Sequence, residues 1–423
     1  MTTTLAAFGG TPAVTLPPPR SWPWYGDQTQ GAVLDRIRSG AVYSFGRDPA
    51  LTQLEAWARE YFGVPFALAT NSGTAALLSA YVGFGVGAGD EVLVPTYTFH
   101  ATATPLLALR ATPVLVDCAS DSIAMSLADA AAKITPRTKA ICVTHMFGLP
   151  VDVAGFRALA DTHGLALIED AAQAHGATVD GRKVGSFGDA ACLSLGGAKM
   201  VTGGHGGMLL TRDVEVYERA LVRGHAHERA IEELRPDSML LPCAETGLGD
   251  NHRMHPLAAV LALEHAMTLD DRIRVRTNVL NGLSDQLAAL GFLEPPTTPP
   301  GRTRGGWYGY KVTYDPSALA NLPMHAFVRL LRAEGVRIGQ PSTTPLHMTA
   351  SFRDHTRTDL PNATSLYQRT IGFPDKRLHE PADGYLRQYL DAVAKVADEV
   401  YRLGTPRVLA ELSGERKDRV AVS

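Results

Sequence analysis

Lys199 stands in Ser194-Leu195-Gly196-Gly197-Ala198-Lys199, ahead of the glycine-rich run Gly203-Gly204-His205-Gly206-Gly207. Just before it, Ala191-Cys192-Leu193 reads as a strand. Twenty-nine residues upstream of the lysine, an apolar run stops at Glu169-Asp170, followed by Ala171-Ala172-Gln173-Ala174-His175-Gly176. A primary amine on a glycine-rich loop and a carboxylate at a strand end form a chemical pair. The amine can make a Schiff base with an aldehyde, and the carboxylate can keep a pyridine nitrogen protonated. Pyridoxal phosphate is the cofactor that uses both. Taken singly, Lys199 reads as well as a solvated loop lysine, and Asp170 as an acidic cap of the next helix.

Other segments extend the pair. Gln173 could donate to the hydroxyl of a pyridine ring. Ser194, five residues before the lysine, could reach a phosphate while the amine reaches the aldehyde. Ser72-Gly73-Thr74 joins a strand end to a helix start, where free backbone N–H groups and the positive end of a helix dipole can hold a phosphate. The same triplet also reads as a plain Ser/Thr N-cap. Phe99, in Thr96-Tyr97-Thr98-Phe99-His100, could stack on a cofactor ring or belong to the core.

These residues need elements to carry them. Short apolar runs at 66–70, 91–95, 113–117, 139–144, 165–169, 190–195 and 207–211 read as strands. Helical segments lie between them, at 75–82 and 98–109 among others, and two more precede them, stopped by Gly40 and Gly63. This alternation predicts an α/β fold with a mainly parallel seven-stranded sheet between helices. A long amphipathic helix is expected from Pro256 past Leu283, then a strand over 307–314 and helices over 324–334 and 386–403. The Pro- and Trp-rich start, to about residue 25, reads as an extended arm. The expected division is 1–265, arm and large cofactor-binding domain, and 266–423, a smaller C-terminal α+β domain.

The whole chain narrows the classes. Its 423 residues carry 45% hydrophobic and 20% charged residues with a formal net charge of −3, which gives no electrostatic case for nucleic acid or anionic membrane. The cysteines Cys118, Cys142, Cys192 and Cys243 show no metal spacing, and three lie in or at the end of strand-like runs, as reduced core residues do. No metal site is expected. The N-terminus lacks the layout of a signal peptide, and no apolar stretch nears the ~20 residues of a membrane span. A soluble, cytoplasmic protein is expected.

In order and spacing, Ser72 to Leu77, Val94 to Phe99, Ile134 to Ala140, Ile168 to Gly176, Gly185 to Asp189, Ser194 to Gly207 and Asn251 to Met254 resemble the DegT/DnrJ/EryC1/StrS aminotransferases of pyridoxal phosphate fold type I. The resemblance implies that Lys199 carries the cofactor and shuttles the proton, and that Asp170 pairs with its ring nitrogen. By the same token Gln173 neighbours the ring hydroxyl, Phe99 stacks on the ring, and Gly73, Thr74 and Ser194 form the phosphate cup. Asn251 matches an asparagine that reaches the phosphate of a neighbouring subunit, which implies a homodimer with shared active sites. The chain departs from the pattern in three places. His205 stands where the family has glutamate, Asp250 and His252 flank Asn251, and the stretch Gln340 to His347 lacks the His-Tyr pair usual in nucleotide-sugar members.

The expected activity is transfer of an amino group from L-glutamine or L-glutamate to a keto-cyclitol or keto-sugar. The missing His-Tyr pair and the opening Gly9-Gly10-Thr11-Pro12 lean towards a cyclitol. The alternatives are a nucleotide-sugar aminotransferase and a non-transaminating enzyme of the same cofactor. Lys199 opposes the second, because the family's dehydratases replace that lysine with histidine. A non-catalytic module ranks lowest.

Overall fold

In the computed structural model, residues 4–419 are described, apart from 45, 226, 356–358 and 374–381. The central sheet has seven strands: β1 Phe66–Thr70, β2 Glu91–Pro95, β3 Thr112–Val116, β4 Thr138–Thr144, β5 Ala166–Asp170, β6 Ala190–Ser194 and β7 Gly207–Thr211. Their order is β1-β7-β6-β5-β4-β2-β3, with β7 antiparallel to both neighbours and every other pairing parallel. These strands are apolar nearly throughout because both faces are covered. Successive residues feed opposite cores, so Leu167 and Ile168 of β5 lie in different clusters, as do Ala191 and Cys192 of β6. Cys118, Cys142 and Cys192 are buried and all four cysteines are free thiols.

A second sheet pairs β8 Leu293–Glu294, β9 Tyr310–Tyr314 and β10 Thr370–Phe373, all antiparallel. Its core includes Tyr314, stacked on Phe327 of the helix Met324–Ala333, and Tyr389 of the helix Asp383–Leu403. Leu5 and Ala7 of the arm are buried in the same core. The N–H groups of Ala6 and Ala13 donate to the Glu334 carboxylate at 2.8 and 3.0 Å. The arm therefore begins on this C-terminal unit and ends, at Trp22 to Tyr25, against the loop that carries Lys199.

Three expected elements differ in detail. The helix foreseen over 98–109 is a 3-10 turn, His100–Thr102, followed by a short helix, Thr104–Ala108. Pro105, in the first turn of that helix, has no N–H to continue a preceding one. The long helix from Pro256 is two, Pro256–Met267 and Leu269–Ala288. At the break, the Thr268 hydroxyl donates to the Glu264 carbonyl at 2.9 Å, and the Arg272 guanidinium takes the His265 carbonyl. The strand foreseen from Trp307 starts only at Tyr310, because Trp307 at φ 46 and Gly309 at φ 94 turn the chain first.

One buried ion pair fixes the first strand to its surroundings. Glu55 is 1% exposed and accepts from Arg229 Nη1 and Nη2 at 2.9 and 2.8 Å and from the Ala69 N–H at 2.8 Å. It ties two helices to β1 immediately before the turn at Thr70. Arg229 also pairs with Glu233 through Nε at 2.6 Å, so loss of the Glu55 charge removes part of its compensation. Glu55→Gln should lower unfolding stability by about 2 kcal/mol, read by denaturant titration.

Candidate active site

Parallel strands end on one edge of a sheet, so their last residues converge there. On this edge stand Thr70 to Gly73 after β1, Thr96 to Phe99 after β2, His145 to Gly148 after β4, Asp170 at the end of β5 and Ser194 at the end of β6. The lysine loop leaves this edge after β6 and returns to it at β7. It is closed by the Leu195 N–H on the Gly206 carbonyl at 2.8 Å.

The two acids at the end of β5 part company. Glu169 is fully buried and accepts from the N–H groups of Gly185, Phe187 and Gly188 at 2.7–2.8 Å. His145 Nε2 lies 3.0 Å from its Oε2, while His145 Nδ1 accepts from the Val151 N–H at 3.3 Å, which assigns the imidazole proton to Nε2. Burial works against the charge of Glu169. These donors outweigh it and hold the carboxyl below its ordinary range. Glu169 is structural. Asp170 is 4% exposed and accepts from the Thr102 hydroxyl at 2.7 Å and the Ala172 N–H at 3.1 Å. Here burial wins and raises the carboxyl, against the pull of those donors and of Lys199 and His145. Thr98 links Thr102 and Thr144 at 2.7 and 3.0 Å, so the hydroxyl on Asp170 is itself held.

Lys199 is half-buried, with Nζ 3.7 Å from the centroid of the Tyr308 ring, a cation–π contact. Tyr308 escaped the sequence reading; the aromatic run Trp307-Tyr308-Gly309-Tyr310 was its one signal, taken there for a strand. Gln173 Oε1 accepts from the Phe147 N–H at 2.9 Å, so its NH₂ is the end left for a ligand. Phe147 (φ 51) and Gly148 (φ 82) make the turn that presents this N–H. His175 Nδ1 accepts from the Val201 N–H at 3.2 Å. Its Nε2 is buried near the Ser194 main chain but outside hydrogen-bond geometry. Burial and the Lys199 charge hold this imidazole down to about 3, so it is neutral.

The N-cap reading of Ser72-Gly73-Thr74 is met at Ser72. The Ser72 side chain caps the helix Gly73–Gly83 by accepting from the Ala75 N–H at 3.1 Å. Gly73 and Thr74 remain at that helix's N-terminus, with Thr74 exposed. The turn presses on the end of β6: a Cβ at Gly73 would stand 2.8 Å from Ser194 Cβ, and one at Gly207 2.3 Å from the Ser72 carbonyl oxygen. Glycine at these positions brings the Thr74 and Ser194 hydroxyls to one helix N-terminus.

Phe99 is not a core residue. It is 49% exposed, and its ring lies 4.2 Å from that of His100. Asn251 is exposed beside the first turn, its carbonyl accepting from Asn71 Nδ2 at 2.9 Å and its Oδ1 from the Arg253 N–H at 3.3 Å. Its side chain is thus turned onto its own chain. His205 is exposed between Gly204 (φ 81) and Gly206 (φ 151). His347 binds Thr96 Oγ1 through Nδ1 at 2.7 Å and Thr364 Oγ1 through Nε2 at 2.9 Å, pinning the Pro345-Leu346-His347 segment to the end of β2.

The residues fit pyridoxal phosphate. Asp170 is a buried acid raised by desolvation, which a pyridinium N–H would compensate. Gly73 lets the helix N-terminus close on Ser194, where a Cβ would collide, and the buried His175 Nε2 has no hydrogen-bond partner among the described residues. Bound there, the cofactor supplies an electron sink for a breaking C–H bond. Lys199 would hold its aldehyde and carry the proton at Nζ, Asp170 would hold charge on the ring nitrogen, and Gln173 would donate to the ring hydroxyl. Among the described residues, no cluster of His, Cys, Asp and Glu could hold a metal, and no helix is long and apolar enough to cross a membrane.

Known proteins resemble this chain in sequence and fold. The model of the DegT/DnrJ/EryC1/StrS aminotransferase family matches residues 25–382. The L-glutamine:2-deoxy-scyllo-inosose aminotransferase of Streptoalloteichus tenebrarius is 36% identical over 367 residues, 84% of each chain. The L-glutamine:scyllo-inosose aminotransferase of Streptomyces griseus is 33% identical, over 95% of this chain and 99% of its own. A UDP-N-acetyl-3-dehydro-alpha-D-glucosamine 3-aminotransferase of Acidithiobacillus ferrooxidans is 35% identical over 76% of this chain and 82% of its own. Among solved structures, an aminotransferase from Psychrobacter cryohalolentis superposes with a TM-score of 0.80 at 27% identity, covering 91% of this chain and all of that one.

Gly73→Ala drives a methyl into the Ser194 side chain at the base of the cup. Cofactor-stripped protein with this change should bind pyridoxal phosphate at least about tenfold more weakly, by absorbance titration, with unaltered far-UV circular dichroism.

Proposed function

This chain belongs to the DegT/DnrJ/EryC1/StrS aminotransferase family and is a pyridoxal phosphate-dependent transaminase, and on that premise we propose that it aminates a keto-cyclitol in the biosynthesis of an aminoglycoside-type antibiotic. L-glutamine or L-glutamate is the donor. The donor leaves as its 2-oxo acid in the first half-reaction, and the ketone takes up the amine in the second. Lys199 moves the proton in both, with Asp170 holding charge opposite it. The observation that carries the reading is the Asp170–Lys199 edge, set in a chain whose inosose-aminating relatives match it over 84–95% of its length. A keto-sugar carried on a nucleotide is the second reading, favoured by the likeness to the Acidithiobacillus enzyme. The missing His-Tyr pair before Pro345 weighs against it.

The working unit in this reading is a cytoplasmic homodimer. The helix Asp27–Ser39 buries none of its residues, and Leu34, Ile37, Tyr43, Phe99, Met239 and Leu248 are exposed. Such apolar surface is what a second copy would cover. Asn251 then serves the partner's phosphate cup, and Phe99 stacks on the cofactor ring. The large domain extends to 265, beside the helix break at Thr268, and 266–423 form the small domain. Four free thiols suit a reducing compartment.

Two experiments test this. Purified protein should show a visible cofactor band that L-glutamine or L-glutamate bleaches, and bleached protein should turn over scyllo-inosose. Turnover confined to dTDP- or UDP-keto-sugars would defeat the cyclitol assignment, and a band indifferent to both donors would defeat the donor. Separately, Lys199→Ala and Asn251→Ala proteins, each inactive, should regain about a quarter of wild-type turnover when their subunits are randomly mixed. No recovery from verified mixed dimers would rule out a shared site.

A further inference from the structure

The peptide groups that follow Lys199 are held from outside their own loop. The Lys199 carbonyl accepts from Trp22 Nε1 at 2.8 Å, and the Met200 carbonyl from Arg272 Nη2 at 3.0 Å. The Val201 N–H donates to His175 at 3.2 Å. The Thr202 carbonyl accepts from the Tyr25 hydroxyl at 3.2 Å and also lies 3.2 Å from His265 Nδ1. Two of these four groups are met by the N-terminal arm, which lies 177 positions away in the chain.

Trp22, the arm's contact with the lysine itself, is 4% exposed and fixed on several sides. The His265 ring lies 4.3 Å from its own and the Arg272 guanidinium 4.8 Å from its centroid, with Trp24 edge-on at 6.3 Å. Tyr25 stacks on the same His265 at 4.7 Å. Arg272 is buried enough for desolvation to push it down to about 10. This buried guanidinium holds the Met200 and His265 carbonyls at a cost in desolvation.

We propose that Trp22 is a positioning residue for Lys199: its indole N–H fixes the Lys199 carbonyl, and the arm thereby sets where the ε-amine stands against the Tyr308 ring. The lysine stem is long and flexible, so its reach is defined only if the peptide at its root is fixed. A root displaced by 1 Å can cost about a hundredfold in rate. Among the titratable and charged groups around the amine are Asp170, His175 and Tyr308, with Arg272 behind the loop. A displaced amine meets a different sum of their fields. The inference rests on Lys199 being the cofactor lysine.

Trp22→Phe keeps a smaller ring against His265 and Arg272 and removes the donor. In the cofactor-loaded enzyme, kcat with L-glutamine should fall about tenfold with KM within about twofold. The pH midpoint of the visible cofactor band should move by about half a unit or more, which loss of a merely structural contact would not cause. Tyr25→Phe, which loses only the hydroxyl on Thr202, should show the same pattern more weakly and serves if Trp22→Phe fails to fold. An unmoved midpoint with unchanged kcat in whichever variant folds would overturn the inference, as would a loss confined to KM. A wild-type protein with no visible band would overturn the reading of Lys199 itself, and this inference with it.

Discussion

An ionised carboxylate at the heart of an apolar sheet costs several kcal/mol unless something answers its charge. Asp170 occupies such a place, 4% exposed at the end of β5. The surrounding structure is organised around that cost. Thr102 and the Ala172 N–H solvate the carboxylate, a threonine relay holds Thr102, and the neighbouring Glu169 is solvated separately by His145 and three backbone donors. What remains is one raised acid facing a lysine across the carboxyl edge of the sheet. This arrangement fits a cationic ring.

Opposite Asp170, precision comes from outside the loop. The glycines around Lys199 give the chain freedom to pass between β6 and β7, and that freedom must be removed again. Side chains from the arm, from the helix Leu269–Ala288 and from His175 remove it by taking the loop's main-chain groups. Glycine thus supplies the path and distant residues supply the rigidity.

The strands were legible because burial on both faces writes itself as short apolar runs, and several of the parallel ones, such as those ending at Thr70, Thr144, Asp170 and Ser194, close with a polar residue at the functional edge. Asp170 and Lys199 were legible for the same reason: each sits where such a run ends or soon after. The break at Thr268 was not, since Pro256 to Leu283 is helical in composition and two side chains, Thr268 on the Glu264 carbonyl and Arg272 on the His265 carbonyl, accompany the interruption. Tyr308 was hidden by its setting, an aromatic stretch that looks like a strand until Trp307 and Gly309 adopt positive φ. Trp22 looked like part of a proline-rich tail. Its partner is 177 positions away, a pairing that no local pattern encodes. Phe99 was split evenly between core and site, and its exposure removes the core.

The arm is anchored twice. Val14 donates to the Glu334 carbonyl at 2.9 Å, and Thr15 and Leu16 to the Gln388 side chain at 2.9 Å, all on the C-terminal unit; Trp22 is anchored on the lysine peptide. Between the anchors run Pro17, Pro18 and Pro19. Three consecutive prolines make a stiff connector with little slack. The segment is therefore a strut rather than a tether, and a shift of either anchor would be passed along it to the other. Lengthening the segment by a few glycines would uncouple the two anchors.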